Sequence, residues 1–198
     1  MNYTELTNAI KEYTDNTETT FVNNIPNFVR QAEERIYRSI LIPELRKNVT
    51  TSLTTSNRFL AKPTDFLAVF SIAVVDGSSN YSFLLPKDVN FIREAYPATG
   101  TTGLPLYYSQ FDGDNFLLAP TPDSTYTVQL HYYYDPQSIV ASSTSWLGDN
   151  AESTLLYGSL LEAYTFMKGE ADIITFYKTR YDEALEGLRQ LADGRNKR

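Results

Sequence analysis

The sequence predicts an α+β fold, with a helical lobe built from N- and C-terminal helices and an inserted antiparallel β-rich lobe. Three observations predict it. Apolar residues recur at helical spacing up to Pro43. They then alternate, or run in β-branched clusters, through the middle of the chain. Helical spacing resumes from Ala151. Terminal helices with matching apolar faces bury them most economically against one another, which leaves the strands as an insertion. The expected boundaries are residues 1–47 and 149–198 for the discontinuous helical lobe and 48–148 for the β-rich lobe.

Leu6, Ile10 and Tyr13 share one face of a first helix over residues 3–14, which Asp15-Asn16-Thr17 ends. A second helix is expected to open at Pro26, because the N–H that proline lacks has no partner in a first turn. Ile25, Phe28, Val29, Ala32, Ile36, Tyr37 and Ile40 repeat at helical spacing along it, while Arg30, Glu33, Glu34 and Arg38 face solvent. Pro43 closes it. Residues 49–53 and 58–60 read as a hairpin around Thr55-Ser56-Asn57. Residues 66–75 form an apolar strand that turns at Asp76-Gly77 and returns through Tyr81-Ser82-Phe83-Leu84. Pro86-Lys87-Asp88-Val89 opens a short helix through Glu94, and a loop rich in Gly, Thr and Pro follows to Pro105.

A second hairpin joins residues 106–110 to 116–119 through Asp112-Gly113-Asp114-Asn115. Tyr126, Val128, Leu130, Tyr132 and Tyr134 alternate with polar or exposed positions, the clearest strand in the chain. Leu155, Leu156, Ser159, Ala163, Phe166 and Met167 then form a helical stripe that Gly169 ends. A last helix over residues 172–191 carries Ile174, Tyr177, Tyr181, Ala184, Leu188 and Leu191 on one face and stops at Gly194. The helix through Leu155 and Leu160 is apolar around much of its circumference, so it needs more than one neighbour. That requirement points to packing against other proteins.

With 198 residues, 42% of them hydrophobic and 21% charged, the chain can bury a core as one domain or two small lobes. The absence of cysteine rules out disulfides, thiolate metal sites and cysteine nucleophiles. The N-terminus is polar and no apolar run spans a bilayer, so neither a secretory signal nor a membrane partner is expected. A formal charge of -7 argues against gripping nucleic acid, since such affinity comes from Lys and Arg against phosphates. The 15 Tyr and 11 Phe lean toward an interaction protein, because stiff amphipathic rings are enriched at interfaces.

Chemistry finds little support. His131 is the single histidine, without cysteine or a nucleophile elbow beside it, and reads as a strand residue among tyrosines. Asp112-Gly113-Asp114-Asn115 departs from a calcium loop, with Phe116 at a ligand place and Leu117 at the glycine place. Glu33 and Glu34 read as solvated, and no carboxylate pair stands out for hydrolysis. No catalytic residue, cofactor or metal is expected.

Several segments resemble a known family. They are residues 25–36 (Ile25-Pro26-Asn27-Phe28 onward), Lys62-Pro63-Thr64-Asp65-Phe66-Leu67, Gly103-Leu104-Pro105-Leu106-Tyr107-Tyr108, Leu118-Ala119-Pro120-Thr121-Pro122-Asp123 with Tyr126, Trp146-Leu147, and residues 155–164. Together they resemble the head-to-tail adaptor (connector) proteins of short-tailed bacteriophages, of the tail tubular protein A type. Lys62-Pro63 replaces the Leu-Pro usual in such adaptors.

The resemblance implies a structural virion protein, not an enzyme. It implies a homo-oligomeric, dodecameric ring between the capsid portal protein and the tail nozzle or tail fibre proteins. It further implies that DNA passes through the bore without sequence-specific binding, that assembly takes place in the host cytoplasm, and that the protein ends in the virion, at the portal–tail junction. On this reading Leu188, Leu191, Arg195, Lys197 and Arg198, an apolar stripe running into a basic end, make the portal contact. Tyr107, Tyr108, Asp112 and Asp114 serve the tail side. Two alternatives stay open: a carbohydrate- or receptor-binding tail module, suggested by the tyrosines, and a carboxylate hydrolase.

Overall fold

The computed structural model describes residues 1–196. In chain order the elements are α1 (Tyr3–Thr14), α2 (Thr19–Ser39), a 3-10 turn (Pro43–Leu45), β1 (Arg46–Ser52), β2 (Phe59–Ala61), β3 (Phe66–Val75), β4 (Tyr81–Phe83), β5 (Leu85–Pro86), α3 (Val89–Ala95), β6 (Thr102–Gly103), β7 (Tyr107–Gln110), β8 (Asn115–Ala119), β9 (Thr121–Pro122), β10 (Thr127–Tyr134), α4 (Ile139–Ser142), α5 (Trp146–Asn150), α6 (Glu152–Phe166) and α7 (Ala171–Asn196). Helices at both ends flank a strand-rich middle, so the fold is α+β. Two compact units result: Met1–Pro43 with the residues from Pro136 onward, and Glu44–Asp135.

The helical unit is organised around α6. Leu155, Leu156, Gly158, Ser159, Leu160 and Ala163 are buried on several sides of it. The neighbours that cover them are α1, α2, α5 and α7 of the same chain. The all-round apolar character of α6 is therefore satisfied within one chain and does not itself require a second copy. Ser159 is the polar residue at its centre, and its hydroxyl donates to the Leu155 carbonyl at 2.8 Å.

The structure departs from the sequence expectation at four places. Helix α2 begins at Thr19, seven residues before Pro26, which lies inside the helix. An interior proline forfeits one backbone bond. Phe21 and Ile25 are both buried, so tertiary packing holds the turn before it. Glu33 is 3% exposed, not solvated. Its Oε1 accepts the Ile139 N–H at 2.9 Å, supplying a donor-rich helix start in α4 with an acceptor. At the end of α6 the left-handed residue is Lys168 (φ 55), and the Gly169 N–H closes on the Tyr164 carbonyl at 2.9 Å. Helix α7 continues through Gly194, whose φ is not positive. Ala192, just before it, is still buried, so packing carries the helix past the expected stop.

The β unit is layered. One sheet has the order β1-β10-β3-β4, a second the order β2-β8-β7-β5, and a two-stranded pair joins β6 to β9. Ile72, Val74, Val128, Leu130 and Tyr132 from the first sheet share a core with Leu60, Tyr108, Phe116 and Leu118 from the second. On the other face of the second sheet, Leu117 and Ala119 pack with Ile92 of α3. Strand β8 is thus covered on both faces, which explains its unbroken apolar run Phe116-Leu117-Leu118-Ala119.

The two hairpins around Asp76-Gly77 and Asp112-Gly113 form as β3–β4 and β7–β8. The expected hairpin between residues 49–53 and 58–60 does not. A turn forms there, with the Asn57 N–H on the Thr54 carbonyl at 3.1 Å. Its flanking strands enter different sheets, β1 beside β10 and β2 beside β8. Leu53 and Leu60 both point into the core between those sheets, and that burial outweighs local pairing.

Gly158 marks the closest approach in the helical unit. A methyl group there would sit 3.1 Å from the Ala32 Cβ on α2 and 3.1 Å from Cε2 of Tyr181 on α7. Overpacking of a filled core costs about 3 kcal/mol at the upper end of its usual range. Gly158→Leu is expected to lose stability by about that amount. Urea unfolding should show a lower midpoint at an unchanged slope; an unchanged midpoint would mean the three helices are not in contact there.

Candidate functional site

Along the C-terminal half of α7, Leu188 is buried and Leu191 is 45% exposed. Both line a shallow groove whose other wall carries Asp149, Asn150 and Glu152. The apolar face of α7 follows Tyr177, Tyr181, Leu185, Leu188 and Ala192, so Leu191 lies off it and leaves part of its side chain in solvent. Arg195 has helical backbone one turn further on, while Lys197 and Arg198 lie outside the described residues.

The second predicted cluster is divided by strand geometry. Successive side chains of a strand point to opposite faces, so Tyr107 and Tyr108 cannot share one surface. Tyr108 is buried beside Phe116, ring centroids 5.8 Å apart, and burial pushes its phenol up. Tyr107 is half-buried on the other face, packed on Phe91 at 5.6 Å and Tyr96 at 6.3 Å.

At the hairpin tip the Asp112 Oδ1 accepts the Asp114 N–H at 2.8 Å and the Asn115 N–H at 2.7 Å. These bonds hold its carboxyl below the usual range. Lys62 Nζ donates to the Asp112 carbonyl at 2.5 Å. Asp112 therefore builds the turn, and Asp114 is the exposed carboxylate at its tip.

The outer face of the first sheet carries exposed aromatics that no sequence expectation named. Phe70, Tyr81 and Phe83 are exposed there, with His131 6.2 Å from the Phe70 ring. The signal was present in the alternation Tyr81-Ser82-Phe83-Leu84. Once Leu84 is assigned to the core, Tyr81 and Phe83 must face outward.

One polar cluster ties the β unit together. Lys47 Nζ donates to Asp65 Oδ2 at 2.6 Å and the Tyr132 hydroxyl donates to Asp65 Oδ1 at 2.7 Å. The Lys47 bond, the largest cause, holds the Asp65 carboxyl below its usual range. Burial, and then the bond to Asp65, push the Tyr132 phenol up to about 12. The described residues contain no group of three or more His, Asp or Glu able to hold a metal ion. None of their helices is long and apolar enough to cross a membrane.

Residues 1–198 match the family described as SU10 adaptor protein. The chain belongs to the SU10 adaptor protein family. It is thus a phage adaptor, a structural protein of the head–tail junction, and this family is not one of enzymes. No curated protein matches the chain.

The Asp65 cluster gives this adaptor a defined pH response. A lowered carboxylate pKa stabilises above the unfolded value of 3.8 and the effect is lost as pH falls through the folded value. The raised Tyr132 phenol acts in the opposite direction: its contribution is present below 10 and lost as pH rises toward 12. Asp65→Asn is expected to cost about 1–2 kcal/mol near neutral pH. That gap to the wild type should narrow below pH 3.8. Denaturant titrations across the acid range would show it; a constant gap contradicts the assignment.

Proposed function

We propose that this adaptor acts as a ring of identical copies, dodecameric as in the adaptors it resembles, that joins the capsid portal to the tail nozzle or fibres and extends the DNA channel. The observation that carries the reading is family membership over residues 1–198. The mechanism is mechanical: the ring turns the portal surface into a docking site for tail components. A formal charge of -7 supports a conduit that does not hold DNA, because a negative wall repels phosphate.

The portal contact falls to Leu188, Leu191, Arg195, Lys197 and Arg198. Support comes from the partly exposed Leu191 on the groove beside Leu188. An apolar side chain in a groove and basic residues beyond it suit an amphipathic partner segment. The tail side falls to the hairpin tip with Asp112 and Asp114 and to Tyr107. Tyr108 contributes from the core by holding the hairpin strand.

The test measures binding to the portal of the same virion. Removing the residues after Gly194, or replacing Leu191 with aspartate, is expected to weaken binding about ten-fold or more, the scale of losing one well-packed contact. Binding unchanged in both variants contradicts the assignment. On the tail side, Asp114→Lys is expected to reduce nozzle attachment without changing the melting temperature, since this carboxylate is exposed. Normal attachment by that variant would remove the hairpin tip from the interface.

A further inference from the structure

The sheet β1-β10-β3-β4 ends on two strands whose outer backbone groups can be identified residue by residue. On one side the Leu53 N–H donates to the Tyr126 carbonyl at 2.8 Å, and the β1–β10 register runs without a shift. Hydrogen-bonded pairs alternate along an antiparallel ladder. Lys47, Val49 and Thr51 therefore bond to β10, and Asn48, Thr50 and Ser52 aim their N–H and C=O groups outward. On the other side the Asp76 N–H donates to the Asn80 carbonyl at 3.1 Å and the Leu84 N–H to the Ile72 carbonyl at 2.9 Å. The same alternation turns the backbone groups of Tyr81 and Phe83 outward. Among the described residues these groups have no protein partner.

The two edges fit one another in three respects. Every neighbouring pair in the sheet is antiparallel, so β1 runs opposite to β4. A second copy continuing the sheet in the same sense sets its β1 antiparallel to β4. Both edges offer bonding groups at every second residue, as one ladder requires.

The third respect is side-chain matching. Thr50, Gln129, Ala73 and Phe83 lie in one row across the sheet, and Ser52, Thr127, Val75 and Tyr81 in another. Joining the edges brings Thr50 and Ser52 against rings that are 64% and 56% exposed, Phe83 and Tyr81. An aromatic ring opposite a β-branched residue is a favourable cross-strand pair, and Thr50 against Phe83 is one. Strand β1 carries no proline and no bulge, two of the devices that keep edges from pairing, and its charged residues, Arg46 and Lys47, stand at its start, away from Thr50 and Ser52. Strand β4 is short, so exposed Phe83 and Leu85 beside it must supply apolar area to the contact.

We propose that copies of this chain join edge to edge, β4 of one against β1 of the next, so that the four-stranded sheet continues from copy to copy. Such a contact is heterologous and forms a closed assembly when its rotation closes into a ring. The proposal rests on the ring reading above and names the surface through which the ring closes.

Two variants of the full chain test it, each mixed with the portal of the same virion. Thr50→Pro removes an outward N–H and leaves the bonds to β10 intact, the position where an edge strand tolerates proline. Its melting temperature and far-ultraviolet spectrum are expected to match the wild type, while the yield of rings by mass and imaging falls about ten-fold or more. The chain has no cysteine, so Thr51→Cys with Ser82→Cys places one thiol on each edge. Within one copy these positions lie three strand spacings apart, roughly 14 Å, too far to bridge. Oxidation of assembled rings is expected to link copies into a ladder of covalent oligomers. Val49→Cys with Ser82→Cys reads the register shifted by two, and a ladder from either pair supports the contact.

Rings from Thr50→Pro at wild-type yield, with no ladder from either cysteine pair, overturn the edge contact and leave the ring standing. Thiols that link to the portal or a tail protein instead of another copy also overturn it. A wild-type chain that stays single beside its portal overturns the ring and the edge contact together.

Discussion

Burial of α6 by helices from both ends of the chain is the constraint on which the helical unit depends. Leu155, Leu160 and Ala163 are fully buried, as is the Ser159 backbone turn between them. Their cover comes from α1 and α2, before the β unit in sequence, and α7, after it. The helical unit cannot close until the chain has left and returned. Gly158 permits that closure, since Ala32 and Tyr181 occupy the space a side chain would need. Polar contacts act at the margin: the Tyr164 hydroxyl donates to the Tyr13 carbonyl at 2.8 Å, and Arg35 pairs with Glu162 on the surface.

The β unit follows a different logic, that of layers. Strand β8 has no solvent face, because one row of its side chains meets the first sheet and the other meets α3. The first sheet has a solvent face, and exposed aromatics collect there. Rigid layers that leave aromatic rings and strand edges open suit a protein that works by contact. The carboxylate of Asp65, shared by Lys47 and Tyr132, ties β1, β10 and the segment before β3 at one place.

Much of this was legible in the sequence, and the failures have physical causes. The α+β class, the strand with Val128, Leu130 and Tyr132, and both Asp-Gly hairpins followed from period and turn chemistry. Leu53 and Leu60 were misjoined because a turn signal specifies a reversal, not the sheet to which each strand goes. Glu33 was read as solvated because polarity on a helix says nothing of a neighbour that needs an acceptor. Pro26 and Gly194 were read by local preference, which packing around Ile25 and Ala192 overrode. Tyr107 and Tyr108 looked like one patch in sequence, and the two-residue period of β7 separates them. The apolar circumference of α6 correctly announced several neighbours, but the sequence could not say that they belong to the same chain.

A helix covered by its own chain lets a single copy fold by itself, and leaves any contact between copies to other surfaces. Amide hydrogen exchange on the unassembled chain measures this directly, because a buried helix opens only with the unit that covers it. The amides of residues 155–163 are expected to be among the slowest to exchange in the single copy and to change little on assembly. Rapid exchange in the single copy, with protection arising only when copies associate, would contradict cover by the chain itself.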